Sequence, residues 1–335
     1  MTDPLPEEQR LKELSPKAYE HPADRAATAA LAKIPMLDQA VRKLIEYGYE
    51  RALRQEFLAG SIKLGSEQLP EVWAAHRAAL ARLDITELPE LYLTQFPVTN
   101  AAAIGSERPM VVVNSKAIEV FDVEELRTVL GHEAGHILSD HVLYRTALMI
   151  LLSVSGITRL PMLAGLPLLA VKMALLEWFR AAELSADRAA TLVNRDPLVT
   201  CRTLMVLSGG TASRRLDLDA FIRQAAAYEE WEPAWDKLAR MRIEVAQTHA
   251  FPVKRVAELM RWVRGGDYDR IVSGHYVRRG DPVDVRAEAG DAVDYYAERF
   301  RAIFREAGAG VEKAGDRVAD AAEKVSDWLR TNRGE

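Results

Sequence analysis

Apolar positions recur at three- and four-residue spacing through "LAKIPMLDQAVRKLIEYGYERALRQEFLAG", residues 31–60. That period belongs to an amphipathic helix, and the run closes on a glycine, as helices often do. Helical patterning is expected from about residue 26, with another helix over 67–83. The texture changes in "LPELYLTQFPVTNAAAIGSERPMVVVNSKAIEVF", residues 88–121. β-Branched and aromatic residues there, punctuated by Pro, Asn and Gly, predict three short antiparallel strands near 91–95, 98–104 and 110–114. Helical spacing resumes in "DVEELRTVLGHEAGHILSDHVLYRT", residues 122–146. Asp122 suits the N-cap, and Glu125 three residues later makes a capping box.

Residues 146–179 are strongly apolar. A membrane-spanning helix needs about 20 mostly apolar residues. The first apolar run is too short, and the second contains Pro161, Gly165, Pro167, Lys172 and Glu177. Two buried core helices are the favoured reading; an apolar hairpin making peripheral contact with a membrane is the alternative. Residues 183–265 read as several more helices, and "DYDRIVSGHYVRRGD" (267–281) as loop or short strand. From 283 onward, mixed charges accompany an apolar stripe running from Val293 through Phe300 and Phe304 to Leu329. This amphipathic tail suits packing on the body, self-association or a partner better than a membrane surface, which favours a basic polar face. The expected class is α+β, mostly helical. It comprises an N-terminal helical region (1–87), a core with a small antiparallel sheet (88–265), and a linker with the tail (266–335).

Composition narrows the function. The 335 residues carry a net charge of -5, which argues against nucleic-acid binding, because phosphates require a basic excess. A single cysteine, Cys201, excludes an internal disulfide and a Cys-rich zinc module. The opening residues are acidic and polar, without the basic and apolar regions of a secretory signal. A cytoplasmic location is therefore expected.

Three of the seven histidines fall within residues 129–141, "VLGHEAGHILSDH". His132, Glu133 and His136 form HExxH. On a helix, positions i and i+4 share a face, so both imidazoles can reach one zinc ion, and Glu133 lies close enough to take a proton from its water. Gly135 inside that helix costs about 1 kcal/mol relative to alanine, which implies a close approach. His141 follows His136 by five residues, about 140° further round an ideal helix, and should point away from the ion. "EWFRAAELSADRAATLVNRD" (177–196) carries Glu183 and Asp187, again at i and i+4. A carboxylate can complete a His₂Glu zinc set, and the second can accept the free N–H of a ligand histidine. Alone, the pair would read as a solvated helix face.

These residues resemble the HtpX-like and CAAX-prenyl-endopeptidase-type zinc metallopeptidases. The resemblance rests on four motifs in order: "TNAAAIG" (99–105) followed by "MVVVNS", the HExxH helix, "ELSAD" (183–187), and "THAFPVKRVAEL" (248–259). It implies a zincin-like fold and one Zn2+ ion per chain, held by His132, His136 and Glu183. Glu133 is then general base and acid, with Asp187 backing a ligand. The edge strand Asn100, Ala101, Ala102 and Ala103 binds an extended polypeptide by β-addition. His249 is a catalytic candidate to stabilise the oxyanion, and Arg255 a structural partner of the Glu183–Asp187 helix. The implied activity is metalloendopeptidase, with a role in protein quality control. Three departures stand out: Ala102 replaces an aromatic, Ala250 and Phe251 replace prolines, and clear multiple membrane spans are absent. The competing reading is a catalytically silent or autoinhibited interaction protein that binds partners through the apolar insert and the tail.

Overall fold

The computed structural model describes residues 10–32, 50–95, 100–105, 108–153, 168–230 and 251–281. Within them α1 (Pro22–Leu31) and α2 (Glu50–Gly60) precede a short strand β1 (Ile62–Lys63) and helix α3 (Pro70–Arg82). The expected helix at 67–83 starts later because Leu69 adopts a left-handed backbone (φ 51) and Pro70 opens the first turn, where its missing N–H costs nothing. Strands β2 (Glu90–Thr94), β3 (Ala101–Ile104) and β4 (Met110–Asn114) follow, close to their expected places. Next come α4 (Ser115–Val120), α5 (Val123–Leu138), α6 (Val142–Ser153) and α7 (Leu168–Asn194). After α8 (Pro197–Gly209), a 3₁₀ turn leads to α9 (Leu218–Glu230), α10 (Pro252–Arg264) and α11 (Asp267–Val272).

The sheet corrects one expectation. Its order is β1-β2-β4-β3 and it is mixed: β1/β2 and β3/β4 are antiparallel, but β2/β4 is parallel. Because β3 and β4 form a hairpin, β4 re-enters beside β2 running the same way, leaving β3 on the edge. The 267–281 segment also differs, since its first part is helix α11. Gly266 supplies the left-handed start (φ 84), and Asp267 and Asp269 occupy the first turn, where they complement the helix dipole.

Strand alternation divides the sheet's two faces. Ala101, Val111 and Val113 face a large apolar core shared with Leu14, Val72, Leu130, Leu192, Leu204 and Ile271. That core draws on all three segments expected from the sequence. Tyr92, Ile104, Met110 and Val112 form a smaller cluster on the opposite face, against which Ala102 packs. Helix α7 is the hub, touching α1, α5, α6, α8 and α10. Its apolar first half buries Leu175 and Trp178. Among the described residues no helix is long and apolar enough to cross a membrane; residues 154–167 and the 282–335 tail lie outside them.

His76 on α3 is completely buried, and its Nε2–H donates to the Pro89 carbonyl at 3.1 Å. Burial pushes its pKa down from 6.5 to about 4. The unfolded chain therefore takes up this proton first, so the contribution is intact above pH 6.5 and declines towards pH 4. At 1.36 kcal/mol per pKa unit, up to about 3 kcal/mol of stability is at stake. In urea unfolding at pH 7 and pH 4.5, the acid-induced loss should shrink by about 2 kcal/mol in His76→Leu.

Candidate metal centre

Helix α5 is built to present its histidines rigidly. The Asp122 carboxylate accepts the Glu125 N–H at 2.9 Å, and the Glu125 carboxylate accepts the Asp122 N–H at 3.0 Å. Glu125 is itself buried and ion-paired with Arg202 and Arg214. Further along the helix, glycines let α7 approach. A Cβ on Gly135 would lie 2.6 Å from the Ala189 Cβ and 3.3 Å from the Ala186 Cα; one on Gly131 would meet Val193 at 3.0 Å. The side chains that would hold these helices apart are missing, so His132 and His136 lie directly against Glu183.

Three ligand-type atoms converge there. His132 Nε2 and His136 Nε2 are 3.2 Å apart, and Glu183 Oε1 lies 3.4 Å from the first and 3.2 Å from the second. Tetrahedral zinc with bonds of 2.0–2.1 Å holds its donors about 3.3 Å apart. The donor set fits that ion by element and by spacing. Among the described residues this is the one such cluster of metal-ligand side chains.

Each donor is backed from behind. The Glu183 Oε2 pairs with Arg255 at 3.0 Å. Asp187 Oδ1 accepts from His132 Nδ1 at 3.0 Å, and Arg255 grips the same carboxylate through Nε (2.7 Å) and an Nη (2.6 Å). On the other side, His136 Nδ1 lies 3.0 Å from His141 Nδ1, and His141 Nε2 lies 3.0 Å from Asp24 Oδ2. The helix projection for His141 fails because α5 stops at Leu138. Asp140 turns left-handed (φ 55), and the Asp140 and His141 N–H groups bond back to the Ile137 and His136 carbonyls. This Schellman stop swings His141 behind His136. It contributes no atom to the three-donor cluster, but it touches one of its members.

Glu133 is buried beside the cluster, and its Oε2 accepts from the Arg145 guanidinium and the Ala103 N–H, both at 2.6 Å. The outward amides of edge strand β3 are thus all engaged: Ala101 N–H with Asn100 Oδ1 (2.9 Å), Ala103 with Glu133, and Gly105 with Thr146 Oγ1 (3.2 Å). A cleft of about 260 Å³ opens on His132, Glu133, Asn100 and Ala101, with Phe121, Val129, Leu204, Leu207 and Phe251 supplying apolar walls. Ala102 belongs to the opposite face of the sheet, and His249 lies outside the described residues.

Three buried carboxylates (Glu133, Glu183, Asp187) face two buried guanidiniums (Arg145, Arg255). One excess negative charge remains, and it favours a cation among the imidazoles. Accordingly, although burial opposes charge on His132, Glu183 and Asp187 raise its pKa to about 9. Burial, with Arg145 and His132 nearby, holds His136 well below its ordinary value. Burial works against the Asp187 anion, but Arg255 and then His132 keep its pKa low.

Sequence reasoning passed over Arg145, His141 as a neighbour of His136, and Asp24. Arg145 had a usable signal, a lone cation at the head of an apolar run. Asp24 had none, because nothing local connects it to a histidine 117 positions later.

A buried HExxH helix, a carboxylate from a second helix, and an edge strand beside them define a metal-dependent peptidase. The chain belongs to Peptidase family M48, whose sequence profile matches residues 66–263, and it is a metallopeptidase with polypeptide substrates. It is 34% identical over 269 residues to the plastoglobule-localized metallopeptidase 48, chloroplastic, of Arabidopsis thaliana, covering 78% of this chain and 76% of that protein. The Protease HtpX homologs of two Tropheryma whipplei strains, Twist and TW08/27, are 29% identical over 105 residues, 30% of this chain and 35% of theirs. No solved structure gives a significant match. The resemblance to HtpX-like enzymes read from the motifs therefore holds, and all four motifs fall within the matched segment.

Gly135→Ala should force α5 and α7 apart. Overpacking of this kind costs about 1–3 kcal/mol. Thermal unfolding should report that loss, and metal retention on a desalting column should fall with it.

Proposed function

We propose that the chain is a zinc endopeptidase in which His132, His136 and Glu183 hold one Zn2+ ion and Glu133 is the general base and acid. The observation that carries this reading is the triangle of donor atoms with sides of 3.2–3.4 Å, the spacing tetrahedral zinc requires. Zinc there would supply Lewis acidity and lower the pKa of a bound water to about 7. The Glu133 carboxylate would accept that water's proton and return it to the leaving amine. Arg145 fixes the carboxylate in place.

The peptide adds as a strand to β3, taking over the outward groups of Ala101 and Ala103. Doing so displaces the Ala103–Glu133 hydrogen bond and frees that carboxylate oxygen for the water. Backbone-directed binding requires an extended chain, so unfolded or membrane-associated polypeptides suit the site, consistent with a role in protein quality control. The apolar walls formed by Phe121, Val129 and Leu207 accept an aliphatic or aromatic side chain next to the scissile bond. Asp187 fixes the His132 ring. His249, three residues before the start of α10 at Pro252, is the proposed oxyanion donor.

An intact Glu133 speaks against a catalytically silent relative, which has no use for the base. General acid–base groups contribute about 10²–10⁴-fold to rate. Glu133→Gln should therefore lose that factor in casein hydrolysis while binding zinc at the wild-type ratio by atomic emission. A zinc-free wild type, or a Gln variant that cleaves casein equally well, would refute the assignment.

A further inference from the structure

We propose that Asp24, on a helix that precedes the family-matched segment, is a positioning residue of the metal centre. Acting through His141, it fixes which nitrogen of His136 carries the proton, and so aims the lone pair of His136 at the ion. This inference rests on the zinc reading above.

The argument follows the protons. His136 is fully buried and has two ring nitrogens, Nε2 in the donor triangle and Nδ1 at 3.0 Å from His141 Nδ1. Two ring nitrogens at that distance share a single proton, in one of two arrangements. If His141 donates, His136 carries its proton on Nε2, which then points into the donor cluster and blocks coordination. In that case a neutral His141 turns a bare Nε2 towards Asp24 Oδ2 at 3.0 Å. Two acceptors would then oppose each other in a dry interior, which is costly. A doubly protonated His141 could serve both neighbours, but it keeps the proton of His136 on Nε2 and so is incompatible with an ion on that nitrogen. If His136 donates, every group is satisfied: His136 Nδ1–H to His141 Nδ1, and His141 Nε2–H to Asp24. An ionised carboxylate only accepts, so between the two neutral arrangements Asp24 selects the second, the one compatible with an ion on His136 Nε2.

Asp24 is held for that task. It is 1% exposed, and its Oδ2 also accepts from Ser185 Oγ at 2.5 Å. Ser185 lies on α7 between Glu183 and Asp187 and accepts the His21 N–H at 2.9 Å. Thr28 contacts Asp24 Oδ1 at 3.3 Å and receives the Trp178 indole N–H at 2.8 Å, while Trp178 packs edge-on to His141. Burial disfavours the Asp24 anion, but His141 and Ser185 hold its pKa low. Both ligand histidines thus end on a carboxylate. His132 reaches Asp187 directly, and His136 reaches Asp24 through one intervening imidazole.

Partners of this kind typically govern metal affinity by 10–100-fold. Zinc affinity is measured on full-length protein by competition with a chromogenic chelator. Asp24→Ala should bind 10–100-fold more weakly, whereas Tyr19→Phe, which loosens the same N-terminal segment at its Ser139 contact without touching Asp24, should stay within twofold of wild type. The tautomers are read directly on zinc-loaded wild type labelled with ¹⁵N-histidine. His136 should be protonated at Nδ1, and His141 at Nε2 with a bare Nδ1. A His141 protonated at Nδ1, or an Asp24→Ala affinity within twofold of a tight wild type, overturns the inference alone. Absence of zinc affinity in the wild type overturns the metal reading and this inference together.

Discussion

The contact between α5 and α7 sets every distance in the site. Two helices normally pack 8–10 Å apart, with side chains filling the gap. Here Gly131 and Gly135 leave no side chain on one helix where Ala186, Ala189 and Val193 approach from the other. The imidazoles and the Glu183 carboxylate reach each other because the backbones come so close. Packing energy therefore holds a cluster of polar atoms that electrostatics alone would not assemble in an apolar interior.

That cluster is tolerated because each buried charge has a partner. Removing ions from water costs several kcal/mol apiece unless the geometry compensates. Arg255 from α10 closes on Glu183 and Asp187, and Arg145 from α6 closes on Glu133. Both arginines belong to elements that also wall the cleft or flank the edge strand. The charges that pair with the carboxylates are thus tied to the groups that would meet a substrate. The edge strand adds to this economy, since the resting protein satisfies its outward amides with its own side chains.

Much of the site was legible in the chain. HExxH at i and i+4, and Glu183 with Asp187 at the same spacing, each report one helix face, and helix geometry is local. The Asp122–Glu125 capping box and the three strand positions are local as well. What failed was non-local or depended on a single backbone torsion. The parallel β2/β4 pairing follows from where the β3–β4 hairpin docks. His141 turned back on His136 because Asp140, a residue that tolerates the left-handed region without demanding it, ended the helix. The start of α11 depended on Gly266 in the same way.

The sequence by itself determined the chemistry of the centre: which residue types, on which helix faces, with which order of motifs. It did so because a helix fixes the relation between neighbours four apart wherever the helix lies. Only the tertiary structure decided how the two faces meet and what stands behind them. The Arg255 clamp, the Arg145–Glu133 pair and the Asp24–His141–His136 chain join segments far apart in the sequence. No local pattern encodes such pairings, because they arise when burial leaves each polar group with only those partners that the packed helices bring within reach.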